Sequence, residues 1–139
     1  MMETNKLNIK FYQNIAKVFY AVAKADHVIH VNEVKVLKKV VKDKWLMIDE
    51  TYDVFGTDTA YQIEIVFDWL HSKNATADDC FDDFVTYYYN YPYFFTSQVK
   101  KLIIETCSLI ANAFRGTNKS ELLIIEKLET TLENLNFTK

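Results

Sequence analysis

Glycine and proline are scarce in this chain, which has two glycines and one proline in 139 residues. A β-rich fold usually needs a cluster of glycine, proline, asparagine or aspartate about every ten residues to turn its strands. The shortage therefore argues against such a fold. Apolar residues recur instead at helical spacing, which predicts an all-α, single compact domain of six to seven helices spanning residues 1–139.

The chain also has only two cysteines and three histidines. Cys80 and Cys107 lack the spacing of a zinc knuckle or a redox pair, so we expect two reduced thiols in the core. The chain contains no nucleophile motif of the hydrolases and no repeated Glu-x-x-His pattern of di-iron bundles. We therefore expect that the protein is not an enzyme.

The chain has neither a basic excess nor a long apolar run. A formal net charge of -3 argues against a dedicated nucleic-acid binder, because phosphate neutralisation requires clustered positive charge. The longest uncharged stretch, from Phe84 to Val99, is too short and too polar to cross a bilayer. Lysines interrupt the N-terminal region, which argues against a secretory signal. We expect a cytoplasmic protein without a transmembrane segment, whose partner is another protein.

Six main helices are predicted from apolar periodicity, together with a short helix between Trp45 and Asp53. The sixth is expected to bury Leu122, Ile125, Leu128, Leu132 and Leu135. The first helix is expected at about 7–25 and the second at about 31–45. The third is expected to begin with a Thr57 cap, and the fourth to run from a Thr76 cap to Pro92. The fifth is expected to end at Arg115 and Gly116, and the sixth to reach residue 135.

The two ends of the chain resemble each other in sequence. At an offset of 88 residues, which is the separation of Ala25 and Ala113, Glu33 also aligns with Glu121. Each copy has an apolar face that it cannot bury alone, so the repeat predicts two similar helical hairpins packed together. The hairpins are expected at about 7–45 and 95–135, with connecting helices at about 46–94.

Four residues with metal-binding side chains lie close together in the first hairpin: Asp26, His27, His30 and Glu33. Two nitrogen and two oxygen donors suit zinc or nickel. Calcium is less suitable, since it takes six to eight oxygen ligands. A divalent metal site at this turn is therefore one of two interpretations.

The other interpretation is a capped helix start. Asn118 and Glu121 stand three residues apart before an apolar run, which is the pattern of a reciprocal N-terminal cap. The offset maps this pair onto His30 and Glu33. Glu33 is then a capping glutamate that needs no metal ion.

Two surfaces are candidates for binding a partner. One is a lysine stripe at helical spacing, interpreted either as a solvated face or as a docking site. The other is an aromatic turn around Pro92, interpreted either as core or as an exposed patch. The lysine stripe comprises Lys35, Lys38, Lys39 and Lys42, and the turn comprises Tyr87, Tyr88, Tyr89, Tyr91, Tyr93, Phe94 and Phe95.

The pattern AxADxxIxxxE, formed by Ala23, Ala25, Asp26, Ile29 and Glu33, resembles the A-x-A-D-G-x-I-x-x-x-E hairpin of the TerB-like domains. These domains occur in tellurite-resistance proteins and in the membrane-tethered DjlA co-chaperones. The resemblance implies an all-α fold of two related hairpins and a cytoplasmic, stress-linked, non-enzymatic role with divalent-metal or protein binding.

The chain departs from this pattern at the glycine position, which His27 occupies. The turn must therefore hold a non-glycine residue in a left-handed conformation or take another shape. Two functional hypotheses follow. One is a TerB-like stress-response domain, related to tellurite resistance, with a divalent metal at the first hairpin turn. The alternative is a metal-free adaptor or co-chaperone-like interaction module.

Overall fold

The computed structural model describes residues 8–48, 59–113 and 119–134, and every regular element in these ranges is helical. The all-α prediction is confirmed for this part of the chain. The elements are α1 (Ile9–Lys24), α2 (Val31–Val40), a π-helical turn (Val41–Trp45), α3 (Leu46–Ile48), a 3-10 turn (Thr59–Tyr61), α4 (Gln62–Ser72), α5 (Ala77–Asn90), a 3-10 turn (Pro92–Phe94), α6 (Ser97–Ala111) and α7 (Lys119–Asn134).

Helix α1 is the centre of the fold, because α4, α5, α6 and α7 all pack against it. Ten of its sixteen residues are buried. Apolar periodicity predicts one buried face on this helix. Burial extends around most of the helix instead, since neighbouring helices cover it on several sides. Asn8 begins the helix, and its side-chain oxygen accepts a hydrogen bond from the Phe11 amide at 2.9 Å.

The second predicted helix differs from a regular α-helix at its end. After Val40 the chain makes a π-helical turn, which brings Val41 and Trp45 into the core together. The Trp45 indole N–H donates to the Thr106 hydroxyl at 3.0 Å, so this wider turn is fastened to α6. Apolar spacing alone did not reveal the change from α to π geometry.

The predicted cap of the fourth helix is confirmed: the Thr76 hydroxyl accepts from the Asp79 amide at 3.1 Å. Helix α5 ends at Asn90, shortly before Pro92, as expected. The turn that precedes α5 is joined to α1 by the Tyr20 hydroxyl, which donates to the Ala75 carbonyl at 2.7 Å.

One core residue predicted for the sixth helix is wrong. Leu122 is 48 % exposed, whereas Glu121 beside it is buried. The inward row of α7 runs through Glu121, Ile125 and Leu128 at helical spacing, which turns Leu122 toward solvent. Predictions for Thr57, Arg115, Gly116, Asn118 and Leu135 lie outside the described residues.

Candidate functional site

The turn between α1 and α2 is held by its own polar groups. A side-chain oxygen of Asp26 accepts from the Val28 amide at 3.2 Å, and the His27 amide donates to the Lys24 carbonyl at 2.8 Å. His27 adopts the left-handed conformation, with φ of 73°. The turn thus keeps a glycine-like shape with a residue that has a side chain, at some conformational cost.

The start of α2 is a capped helix end. His30 occupies the N-cap position with extended backbone, and its amide donates to the Glu33 Oε1 at 2.8 Å. The Glu33 amide in turn donates to the His30 carbonyl at 2.9 Å. The capping role predicted for Glu33 is therefore confirmed.

The four residues predicted to bind a metal do not form a ligand set. Within the described ranges, no group of three or more histidine, cysteine, aspartate or glutamate side chains could hold a metal ion. The Glu33 side chain is buried, whereas His27 is exposed and lines a cavity of about 740 Å³ beside Lys24 and Asn74. Metal binding through both histidines stays a prediction that this geometry does not favour.

Glu33 instead meets Glu121, the residue that the 88-residue offset aligns with it. Both are buried, with 1 % and 2 % of their surfaces exposed. Burial raises the pKa of Glu33 and the charge of Asp26 adds to this, although hydrogen bonds with His30 and Glu121 oppose it. Sequence reasoning aligned the two glutamates but missed their contact.

The predicted lysine stripe lies on the exposed side of α2 and of the π-helical turn after it, with acidic groups nearby. Lys39 pairs with Asp43 at 3.0 Å across one helical turn. Burial raises the pKa of Glu64 on α4, and the nearby charge of Lys38 partly offsets this effect. These acids reduce the positive potential of the stripe, which favours its interpretation as a solvated face.

The aromatic turn divides into core and surface. Tyr88, Phe94 and Phe95 are buried, whereas Tyr91 and Tyr93 are 42 % and 57 % exposed. The two exposed rings contact each other, with centroids 6.3 Å apart. They border a cavity of about 290 Å³, whose lining residues are Asn8, Lys10, Asn14, Tyr87, Tyr91, Tyr93 and Phe94.

The polar part of this cavity comes from the beginning of α1. Asn14 is oriented by its own helix, since its side-chain amide donates to the Lys10 carbonyl at 2.9 Å. Asn8 is oriented as the N-cap of α1. On the other side of the cavity, the Tyr91 ring packs against the Tyr87 ring, with the two centroids 4.9 Å apart. The cavity therefore combines an aromatic wall with a polar wall that carries one lysine.

The two cysteines are unsuited to nucleophilic chemistry. Both are buried and neither forms a disulfide, as predicted. Burial raises the pKa of Cys80 to about 11, and nearby Asp83 contributes to the increase. Burial raises the pKa of Cys107 even further. Both side chains are thus thiols at neutral pH, and neither is an activated thiolate.

Comparison with protein-family models, with curated proteins and with solved structures found no match to this chain. The TerB-like resemblance and the pairing of two hairpins therefore stay predictions. Across the ranges that the structure covers, none of the helices has the length and apolar character needed to cross a membrane.

Proposed function

We propose that this chain is a non-enzymatic protein-interaction domain, TerB-like in kind, that docks a protein partner on the surface formed by Tyr91, Tyr93 and the cavity beside them. The observation that carries the proposal is the exposure of these two rings above a cavity bordered by Lys10. This proposal keeps the metal-free adaptor hypothesis from the sequence analysis and places the binding site on the aromatic surface.

The physical support is the kind of contact that tyrosine makes. Its ring provides a large apolar area with little side-chain entropy to lose, and its hydroxyl can still bond at the rim of an interface. Tyrosine is accordingly enriched among the residues that dominate binding energy. The Tyr93 ring packs against the rings of Phe94 and Tyr91, with its centroid 4.8 Å from that of Phe94. These contacts restrict its orientation before a partner binds.

A site-specific cross-linking experiment tests this proposal. A photoreactive phenylalanine analogue at position 93 should capture one protein from cells of the source organism, and that protein should then be purified and titrated against the parent by calorimetry. The double variant Tyr91→Ser/Tyr93→Ser should weaken binding about tenfold or more, because it removes both exposed rings.

The chain offers a matched control. Tyr89 is 46 % exposed, a fraction similar to that of Tyr91, but it does not line the cavity. Tyr89→Ser should leave the affinity unchanged. If Tyr89→Ser weakens binding equally, or if Lys38→Glu/Lys42→Glu abolishes it while the tyrosine variant binds normally, the aromatic surface is not the docking site.

A TerB-like stress-response domain that binds a divalent ion is the second candidate. Its support is the AxADxxIxxxE pattern of the α1–α2 turn, which contains Asp26, His27, His30 and Glu33, although no group of three or more such side chains in the described residues could hold a metal ion.

Metal analysis of protein purified without a histidine tag tests this candidate. A metal-binding domain should retain close to one equivalent of zinc, nickel, manganese or calcium, and His27→Ala/His30→Ala should reveal whether the imidazoles contribute. A content below roughly a tenth of an equivalent, with a melting temperature that none of the four ions changes, would exclude the metal role.

A further inference from the structure

We propose that the cavity beside the two exposed tyrosines binds a carboxylate from an acidic side chain of the partner, and that the Tyr87 hydroxyl and the Lys10 ammonium recognise it. The assignment rests on the proposed docking function and adds the chemistry of the partner, which is an acidic peptide segment. The cavity, of about 290 Å³, has room for one such side chain.

Tyr87 is a buried tyrosine whose hydroxyl has no partner. Its side chain lines the cavity and the residue is 7 % exposed, yet the hydroxyl forms no hydrogen bond within the parts of the chain that the structure describes. By contrast, the buried Tyr20 and Tyr88 each donate to a backbone carbonyl at 2.7 Å. A buried polar group without a hydrogen bond is costly, so the Tyr87 hydroxyl favours a ligand that brings an acceptor.

The Tyr87 hydroxyl keeps its proton at neutral pH. Burial raises the pKa of Tyr87, and the neighbouring Tyr91 and Tyr93 add to the increase. A protonated phenol can donate to an anionic oxygen, whereas an ionised one could only accept. The ligand group that this hydroxyl selects is therefore an acceptor.

The charge of the cavity selects an anion. Among the described residues that line it, Lys10 is the only charged one, so no carboxylate of the chain opposes the lysine there. Helix α1 also begins at this cavity, and its first turn has no acidic residue to occupy the positive end of the helix dipole. A carboxylate would gain a charge-assisted hydrogen bond from the ammonium.

The set of donors suits a side-chain carboxylate. One ammonium balances one negative charge, whereas a phosphate group carries about two and typically pairs with several arginines. The side-chain oxygen of Asn8 is used in the cap of α1, which leaves its NH2 group as a further donor. C-terminal carboxylates are captured instead by rows of backbone N–H groups. These donors are side chains, so we assign the carboxylate to aspartate or glutamate.

Melting temperatures of the free protein test the unpartnered hydroxyl. Tyr87→Phe should melt at the temperature of the parent or above it, because no hydrogen bond is lost. Tyr88→Phe is the matched control, since its hydroxyl is bonded, and it should melt about 3–5 °C lower. An equal fall for both variants would show that the Tyr87 hydroxyl already has an acceptor, which overturns the proposal.

Peptides test the carboxylate. Random peptides displayed on phage without a free C-terminus should be selected against the full chain, and the binders should contain aspartate or glutamate. The best binder is then synthesised with blocked ends, together with forms that carry the amide or phosphoserine in place of the acid. By fluorescence anisotropy the acid should bind about tenfold more tightly than the amide. Selection of no acidic binder, equal binding of acid and amide, or tighter binding of phosphoserine would overturn the proposal.

Variants of the chain locate the contact. Tyr87→Phe and Lys10→Gln should each remove most of the preference for the acid over the amide. Lys119→Gln is the matched control for net charge, because Lys119 is exposed at the start of α7 and does not line the cavity. It should keep the preference. An equal loss in Lys119→Gln would reduce the effect to net charge and contradict a specific site.

The docking function and the carboxylate contact fail separately. If Tyr91→Ser/Tyr93→Ser weakens the cross-linked partner while Tyr87→Phe keeps the full preference for the acid, the docking surface stands and the carboxylate contact is wrong. If Tyr91→Ser/Tyr93→Ser leaves the partner bound with unchanged affinity, the docking function is itself wrong.

Discussion

Replacing Trp45 by phenylalanine tests the contact that joins the π-helical turn to α6. Trp45 is fully buried, and its indole N–H donates to the Thr106 hydroxyl at 3.0 Å. The variant loses this bond, worth about 1 kcal/mol, and leaves a cavity of roughly 40 Å³, which costs about another 1 kcal/mol. The Thr106 hydroxyl still donates to the Leu102 carbonyl at 2.7 Å, so its hydrogen is not left without an acceptor.

The total of about 2 kcal/mol corresponds to a fall in melting temperature of roughly 5–10 °C for a domain of this size. Urea unfolding followed by circular dichroism should measure the same free energy. A double-mutant cycle with Thr106→Val isolates the hydrogen bond, and we expect a coupling of about 0.5–1.5 kcal/mol. Additive effects of the two substitutions, within about 0.3 kcal/mol, would refute the bond between indole and hydroxyl.

Three further predictions concern caps, hydroxyls and thiols. Thr76→Ala should lower the free energy of unfolding by about 1 kcal/mol, measured in urea, because the Asp79 amide loses its acceptor. Tyr88→Phe removes a hydroxyl that donates to the Leu132 carbonyl at 2.7 Å; the loss should stay near 1 kcal/mol, because Lys100 still donates to that carbonyl. Cys80 should resist maleimide in the native protein at neutral pH, since burial raises its pKa to about 11. It should react with maleimide in urea, which exposes the thiol. Rapid labelling of the native protein would contradict its burial.

The helices themselves could largely be predicted because their signals are local. Apolar residues at helical spacing marked the buried side of α6, including Ile103 and Ile110. A threonine before a helix indicated the start of α5, and a proline indicated its end. Such signals depend on neighbours within one or two turns, which the sequence displays directly.

The candidate site could be predicted only in part, because its contacts join distant residues. The capping role of Glu33 is local and was recognised, whereas the influence of Glu121 on its pKa joins residues 88 positions apart in the sequence. The exposure of Leu122 has the same origin, since Glu121 occupies the inward row. The tyrosines were recognised as a group, but the sequence does not distinguish the buried Tyr88 from the exposed Tyr91 and Tyr93, because burial depends on long-range packing.

We propose that the partner docks on the aromatic surface beside Lys10 and not on the acidic turn or the lysine stripe. Chemical-shift mapping of labelled protein with the cross-linked partner tests it most directly. We expect the largest changes at the amides of Lys10, Asn14, Tyr91 and Tyr93. Changes confined to residues 26–33 or to residues 35–42 would contradict it.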